Sequence, residues 1–219
     1  PIVGTLDGDG QNDPAYLPQL IDALEAASPQ AGFTTGTPWL PVNANHTEIN
    51  AEAAAELELA TVFGTDLNLE NAIETRNLIA AEGFGAEVMA CDSTRADQVE
   101  SVVQACMARH GRIDILVNNV GLSQPGGPVD MDEAVWDAQK QVNLKGAFLG
   151  CKHVLPIMQR QGGGAVVNVA SVAGLRYVGK PQVAYAAAKA GLMQFTRTTA
   201  VIHAPDNIRL NCVVPGLMH

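Results

Sequence analysis

Tyr185 and Lys189 stand four positions apart in the run YAAAK, and Ser171 closes the apolar run AVVNVA fourteen residues before the tyrosine. A Tyr and a Lys at i and i+4 share one face of a helix, one turn apart. An ammonium beside a phenol favours the phenolate and lowers the titration of a group that ordinarily ionises near pH ~10. A Ser hydroxyl arriving at a strand end polarises a carbonyl or holds an alcohol. These groups together suit a proton transfer to or from a carbonyl oxygen while a hydride moves elsewhere. An Ala-rich helix carries a Tyr and a Lys at this spacing without any chemistry, so the surrounding elements have to decide.

Those elements are regular from about residue 58 onward. Apolar runs predict strands at 60–66, 86–92, 113–121, 163–171 and 208–216. Helices are expected at 68–81, with Ile73, Leu78 and Ile79 on its apolar side, and at 95–109. Longer helices are expected at 131–161, with Asn143 inside it and Pro156 as a late kink, and at 181–204. Strands alternating with helices, several strands being apolar on both faces, indicate an α/β fold: a doubly wound, Rossmann-like parallel sheet in three layers, α/β/α. In such sheets ligands lie beyond the carboxyl ends of the strands. Here those ends carry Asp66, Asp92, Asn118 to Gly121, Ser171, and Pro215 with Gly216.

Each ending has a chemical use. An acid after the second strand of a dinucleotide fold accepts the ribose hydroxyls of an adenosine. Leu67 rather than Arg follows Asp66, so a 2′-phosphate would meet a bare carboxylate, which favours NAD over NADP. Asp92, with Ser93, suits an adenine amino group. Either Asp equally reads as a helix N-cap, since each precedes a predicted helix. The sequence Asn118-Asn119-Val120-Gly121 leaves a strand with a small residue that permits close backbone approach. Asn143 lies inside a helix, where Asn is unfavourable unless its amide is used. The Pro215-Gly216 turn is placed to cover a nicotinamide.

NNVG, Asn143, Ser171, YAAAK and NCVVPG, in this order, resemble the signature set of the short-chain dehydrogenase/reductase family over about residues 58–216. The resemblance implies Tyr185 as acid/base, and Lys189 as the cation that favours its phenolate and binds the nicotinamide ribose. It implies Ser171 orienting the substrate oxygen, and Asn143 bridging Lys189 to a proton-relay water. Asn118 and Gly121 would support the cofactor side of the sheet. It further implies a small secondary alcohol or ketone as substrate, and a homotetramer or dimer through the two long Ala-rich helices. Segments 122–128 and 175–183, mostly apolar or small, would line the pocket.

The first 57 residues differ in composition. They hold eight acidic residues and no Lys or Arg, against fifteen acids and thirteen bases in 58–219, and they hold six of the twelve prolines. A boundary near residue 57 follows, with the N-terminal segment possible as a source of one strand and one helix. Ile2 to Leu6 is a short apolar run. Gly4, Gly8 and Gly10 have a GxxxGxG spacing, yet Asp7 and Asp9 would turn carboxylates toward a pyrophosphate. TLDGDGQNDP resembles the acidic loop of glycosyltransferases of the dolichyl-phosphate-mannose-synthase kind (about 1–28), where a metal would sit between acids and a sugar nucleotide. PWLPVN resembles a segment of α-glucosidases of the α-amylase superfamily (about 30–55), without paired catalytic carboxylates.

Gly10 and Asp66 are 56 positions apart, where the dinucleotide fold has about twenty. The chain stops at His219, where the resemblance leads to the expectation of a further substrate loop and strand. Two readings therefore stand beside the oxidoreductase: a composite or truncated chain that keeps the fold without turnover, and a metal-dependent glycosyltransferase fragment. The net charge of −10 argues against nucleic acid and anionic membrane partners. Cys91, Cys106, Cys151 and Cys212 have no metal-binding spacing and read as reduced core thiols of a cytoplasmic protein, with no metal site expected.

Overall fold

The computed structural model describes residues 2–5, 61–81 and 85–216. Among these residues six strands form one parallel sheet: β1 (Ile2–Thr5), β2 (Val62–Asp66), β3 (Ala86–Ala90), β4 (Ile115–Asn118), β5 (Gly164–Val169) and β6 (Ile208–Val213), in the order β3-β2-β1-β4-β5-β6. That order reverses between β1 and β4, which creates the crevice where doubly wound sheets bind their ligands. The run Ile2 to Thr5 fills the centre of the sheet, pairing Gly4 with Gly64 of β2 on one side and with Val117 of β4 on the other. Asp7, Asp9, Gly8 and Gly10 of the acidic loop, and the helix and loop expected beyond them, lie outside the described residues.

Among the described residues five helices and shorter turns connect and cover the strands: α1 (Leu69–Ala81), α2 (Ala96–His110), α3 (Glu133–Lys140), α4 (Gly146–Gln161) and α5 (Val183–His203). Val166 and Val167 leave opposite faces of β5, and both are fully buried, so the sheet is covered on both sides. One face packs Phe63, Leu116, Val166 and Leu210 against Val99 and Val103 of α2 and Leu149, Val154 and Met158 of α4, with Phe195 and Ala200 of α5 at its margin. A smaller cluster of Ala147, Ala170, Leu192 and Met193 joins α4 to α5.

Several expected boundaries move. Strands β3 to β6 are two to five residues shorter than their apolar runs, and each leaves the ladder two or three residues before its run ends, whereas β2 ends at Asp66 as expected. In α1 the buried positions are Ala72 and Ile79, seven residues apart, whereas Leu78 is 41% exposed. Ala72 and Ile79 fall on one stripe at 3.6 residues per turn; Leu78 lies about 100° away from Ile79 around the axis. The single helix expected at 131–161 is divided: α3 passes into a π-helical turn, Gln141–Lys145, before α4 continues through Pro156. Single π turns inside α-helices are frequent at functional sites, and Asn143 sits in the middle of this one.

Candidate active site

The carboxyl end of β5 organises the site. After Val169 the chain stays extended to Ser171, whose Oγ accepts from the N–H of Ala173 at 3.2 Å and so opens a 3-10 turn, Val172–Gly174. The N–H of Val172 donates to the carbonyl of Pro215 at 2.9 Å, which ties this turn to the chain leaving β6. Gly174 then touches α5 backbone to backbone: a Cβ there would stand 2.7 Å from the nitrogen of Ala190 and 2.8 Å from the carbonyl carbon of Lys189. Only a glycine permits that approach, and it seats the Ser171 turn on the helix at Lys189.

Lys189 is 2% exposed and donates from Nζ to the carbonyl of Val169 at 2.7 Å, bridging α5 to the end of β5. One turn earlier, Tyr185 is half-buried, and the ammonium stands 5.6 Å from its ring centre. A cation at this distance over an aromatic face is attracted to the ring as well as to the carbonyl. The helix spacing and the Gly174 contact thus bring Tyr185, Lys189 and the Ser171 turn to one strand end.

Asn143 is buried, and its amide is committed to backbone. Nδ2 donates to the carbonyls of Leu122 at 2.7 Å and Gln139 at 2.8 Å, while Oδ1 accepts from the N–H of Leu122 at 3.2 Å. A side chain so engaged explains an Asn inside a helix: it anchors the chain leaving β4. A small recess opens beside it, lined by Ser93, Asn118, Asn143, Gly146, Ala147 and Leu192.

Asn118 ends β4 inside a buried polar chain. Its Nδ2 donates to Asn168 Oδ1 at 2.8 Å, Asn168 Nδ2 donates to Thr196 Oγ1 at 2.8 Å, and the Thr196 hydroxyl donates to the carbonyl of Leu192 at 2.7 Å. The thiol of Cys212 also donates to Thr196 Oγ1, at 3.1 Å. This chain locks β4, β5, β6 and α5 together directly beneath the recess. Asn168 and Thr196 escape sequence reasoning because the bonds that join them to each other and to Asn118 span 28 and 50 positions. Gly121, three residues past Asn118, is half-buried, as is the Asn119–Val120 pair before it.

Asp66 and Asp92 occupy neighbouring strand ends, joined by the N–H of Cys91 donating to the carbonyl of Asp66 at 2.8 Å. Asp66 is 4% exposed and its Oδ1 accepts from the N–H of Asn68 at 2.7 Å. Asp92 Oδ1 accepts from both the N–H and the hydroxyl of Thr94, at 2.9 and 2.7 Å. Neither is the N-cap that its position before a helix allowed. Asn68 caps α1 through Glu70 N–H, and Arg95 holds the N-cap position of α2. Asp66 lies two residues before the cap of α1 and Asp92 three before that of α2, and each spends its Oδ1 on the turn between strand and helix. Among the described residues the four cysteines are free thiols, and no group of His, Cys, Asp and Glu is arranged to hold a metal. Burial, with Asp92 and Asp97 nearby, pushes the Cys91 thiol up to about 11, and burial pushes Cys151 up to about 12.

The profile of the short chain dehydrogenases matches residues 49–219. The chain therefore belongs to this family of oxidoreductases. It is 42% identical over 164 residues to a 3-oxoacyl-[acyl-carrier-protein] reductase of Thermotoga maritima, covering 74% of this chain and 65% of that protein. It is 39% identical over 154 residues to levodione reductase of Leifsonia aquatica, covering 69% of this chain and 57% of the relative. The chain thus spans less than two thirds of the length of either. A crystal structure of a family member from Burkholderia xenovorans superposes with a TM-score of 0.79 at 41% identity, covering all of this chain and 74% of that one. Further structural neighbours include NAD+-bound xylitol dehydrogenase (TM-score 0.74, 26% identity, all of this chain and 70% of that one) and a metagenomic short-chain oxidoreductase in complex with NADP (TM-score 0.72, 32% identity, 78% and 77%).

Proposed function

We propose that this chain transfers a hydride between NAD(H) and a small secondary alcohol or ketone, with Tyr185 as the acid/base. The observation that carries the reading is the Tyr185 and Lys189 pair on one face of α5, the ammonium 5.6 Å from the ring and fastened to the end of β5. The donor set at the strand ends fits a dinucleotide: acids at the ends of β2 and β3, a buried amide at β4, and hydroxyl, phenol and ammonium at β5 and α5. A bound nicotinamide supplies or accepts the hydride. In the reducing direction the Tyr185 hydroxyl gives its proton to the carbonyl oxygen as the carbonyl carbon gains the hydride, leaving an alcohol and a phenolate. Lys189 stabilises that phenolate by its charge. Ser171 would donate to the same oxygen and fix its direction, and Pro215 with Gly216 would close over the nicotinamide end. Asn143, its amide spent on Leu122 and Gln139, would act in any proton relay by holding backbone in place.

Asp66 supports NAD rather than NADP. Its carboxylate is buried at the end of β2, Leu67 follows it, and a 2′-phosphate there would meet like charge. Asp92 would take the adenine edge. The reductases among the named relatives support the substrate class, and exposed Phe148 of α4 with Val201 and Ile202 of α5 support a homotetramer or dimer. Among the described residues no helix is long and apolar enough to cross a membrane; a cytoplasmic setting goes with this reading.

The test is a Tyr185→Phe variant assayed beside a titration of NADH fluorescence. The expected outcome is turnover lowered by roughly 10²–10⁴-fold with NADH binding intact. Full activity in the variant overturns the acid/base assignment. Saturable NADH binding without turnover in the parent chain favours a fold-retaining, non-catalytic chain.

A further inference from the structure

Between β4 and α3 the chain runs from Leu122 to Gly126 with its alternate amides all engaged. The N–H of Leu122 donates to Asn143 Oδ1 at 3.2 Å, that of Gln124 to Gln139 Oε1 at 3.0 Å, and that of Gly126 to the carbonyl of Pro181 at 2.8 Å. Gln139 lies near the end of α3 and Asn143 in the π turn that follows, four positions on, so their side-chain oxygens meet alternate amides of the loop. Gln139 is wholly buried, and its Nε2 faces the Sδ of Met131 at 3.9 Å. Met131 in turn covers Gly126, where a Cβ would come 2.9 Å from its Cε. A glutamine is rarely buried completely, because its amide must then be satisfied internally. Here it is satisfied by the loop.

The opposite side of the same loop is fastened to α5. The Ser123 hydroxyl donates to Gln182 Oε1 at 3.3 Å, and the N–H of Val183 donates to the carbonyl of Gly126 at 3.2 Å. Val183 is the first residue of α5, two positions before Tyr185. The loop is thus held from beneath by Gln139 and Asn143 and from the side by the start of the helix that carries the tyrosine.

We propose that Gln139 is a positioning residue for substrate: its side-chain oxygen holds residues 122–126 as a fixed wall before α5, and so sets which carbonyl compounds reach Tyr185. This rests on the oxidoreductase reading above. The loop acts as a rigid selector, its shape set from beneath by Gln139 of α3 and Asn143 of the π turn.

The test is Gln139→Met in the full chain, which keeps the volume and removes the acceptor. Hydrogen exchange by mass spectrometry is read over peptides covering 122–126, β4 and α5, together with kinetics on cyclohexanone as the probe ketone and NADH titration. Exchange in 122–126 should rise about tenfold or more, with β4 and α5 unchanged. KM for the ketone should rise about five- to tenfold, with kcat and the NADH Kd within about twofold. Unchanged exchange overturns the proposal. So does a loss that spreads equally to β4, α5 and NADH binding, since that marks an ordinary core residue. Should the parent chain turn over no ketone, the oxidoreductase reading fails by itself, and the exchange pattern alone decides whether Gln139 holds the loop.

Discussion

Lys189 donates from Nζ to the carbonyl of Val169 at 2.7 Å while the same nitrogen stands 5.6 Å from the ring centre of Tyr185. A buried ammonium is unfavourable unless it is paired or hydrogen-bonded. Here a strand-end carbonyl and an aromatic face share that task, so the charge is held still beside the phenol. Its position is set by the sheet and not by a flexible four-carbon stem.

Replacing Lys189 by Met keeps a linear apolar stem and removes the charge. Turnover should fall by roughly 10²-fold or more, and the pH at which the remaining activity rises should move upward. The sign follows from the cation: it favours the phenolate, so its loss delays ionisation to higher pH. A pH–rate profile from pH 6 to 10.5 checks this, and an unchanged midpoint removes Lys189 from the proton step.

Gly174 makes a second expectation that concerns geometry alone. A methyl group there would collide with backbone atoms of Lys189 and Ala190, at 2.8 and 2.7 Å, and backbone yields less readily than a side chain. Gly174→Ala should displace the Ser171 turn from α5 and lower kcat about 10- to 100-fold, while NADH binding changes much less. Steady-state kinetics with NADH titration separate the two. Equal kcat in the variant shows that the turn tolerates the shift.

The readable parts of this molecule were those written in local pattern. Apolar runs ending in Asp66, Asp92, Asn118 to Gly121 and Ser171 indicate a parallel sheet with polar side chains at its carboxyl ends, because strands buried on both faces are apolar throughout and turn polar only where they stop. Tyr185 and Lys189 were readable because helix geometry alone puts i and i+4 together. Gln139, Asn168 and Thr196 were not. Each is a polar residue in a core position, and its reason lies in a partner far along the chain. The π turn around Asn143 was equally hidden, since its sequence, QVNLK, carries no helix-breaking residue. Leu78 misled because it sits next to the buried stripe of α1 without belonging to it.

Asn168 offers a test of that hidden layer. It is fully buried and serves Asn118 on one side and Thr196 on the other. Asn168→Ala takes from Asn118 its one close side-chain acceptor and from Thr196 one of its two donors, and it opens a cavity in the core, which costs about 2–4 kcal/mol. Urea unfolding of variant and parent measures it. A change below about 0.5 kcal/mol would mean that water replaces the lost amide.

Cys151 supplies the last expectation, through pH. Its thiol is buried in α4 and pushed up to about 12 by that burial, with Asn118 Nδ2 at 3.9 Å the one polar contact that favours the thiolate. In the unfolded chain the same thiol ionises near pH ~8.5. Burial therefore raises the folded value, so the native state holds this proton when the unfolded chain has lost it. The stability carried by the neutral thiol is fully present below about pH 8.5 and declines as pH rises toward 12, by at most about 1.4 kcal/mol per pH unit. Unfolding free energy measured between pH 8 and 10.5 should fall more steeply in the parent than in Cys151→Ala. The comparison is of slopes, so the cavity left by the substitution, which shifts both ends equally, does not enter. Parallel slopes would show that the thiol reaches solvent in the native state, and iodoacetamide would then label Cys151 as fast in the folded protein as in the unfolded one.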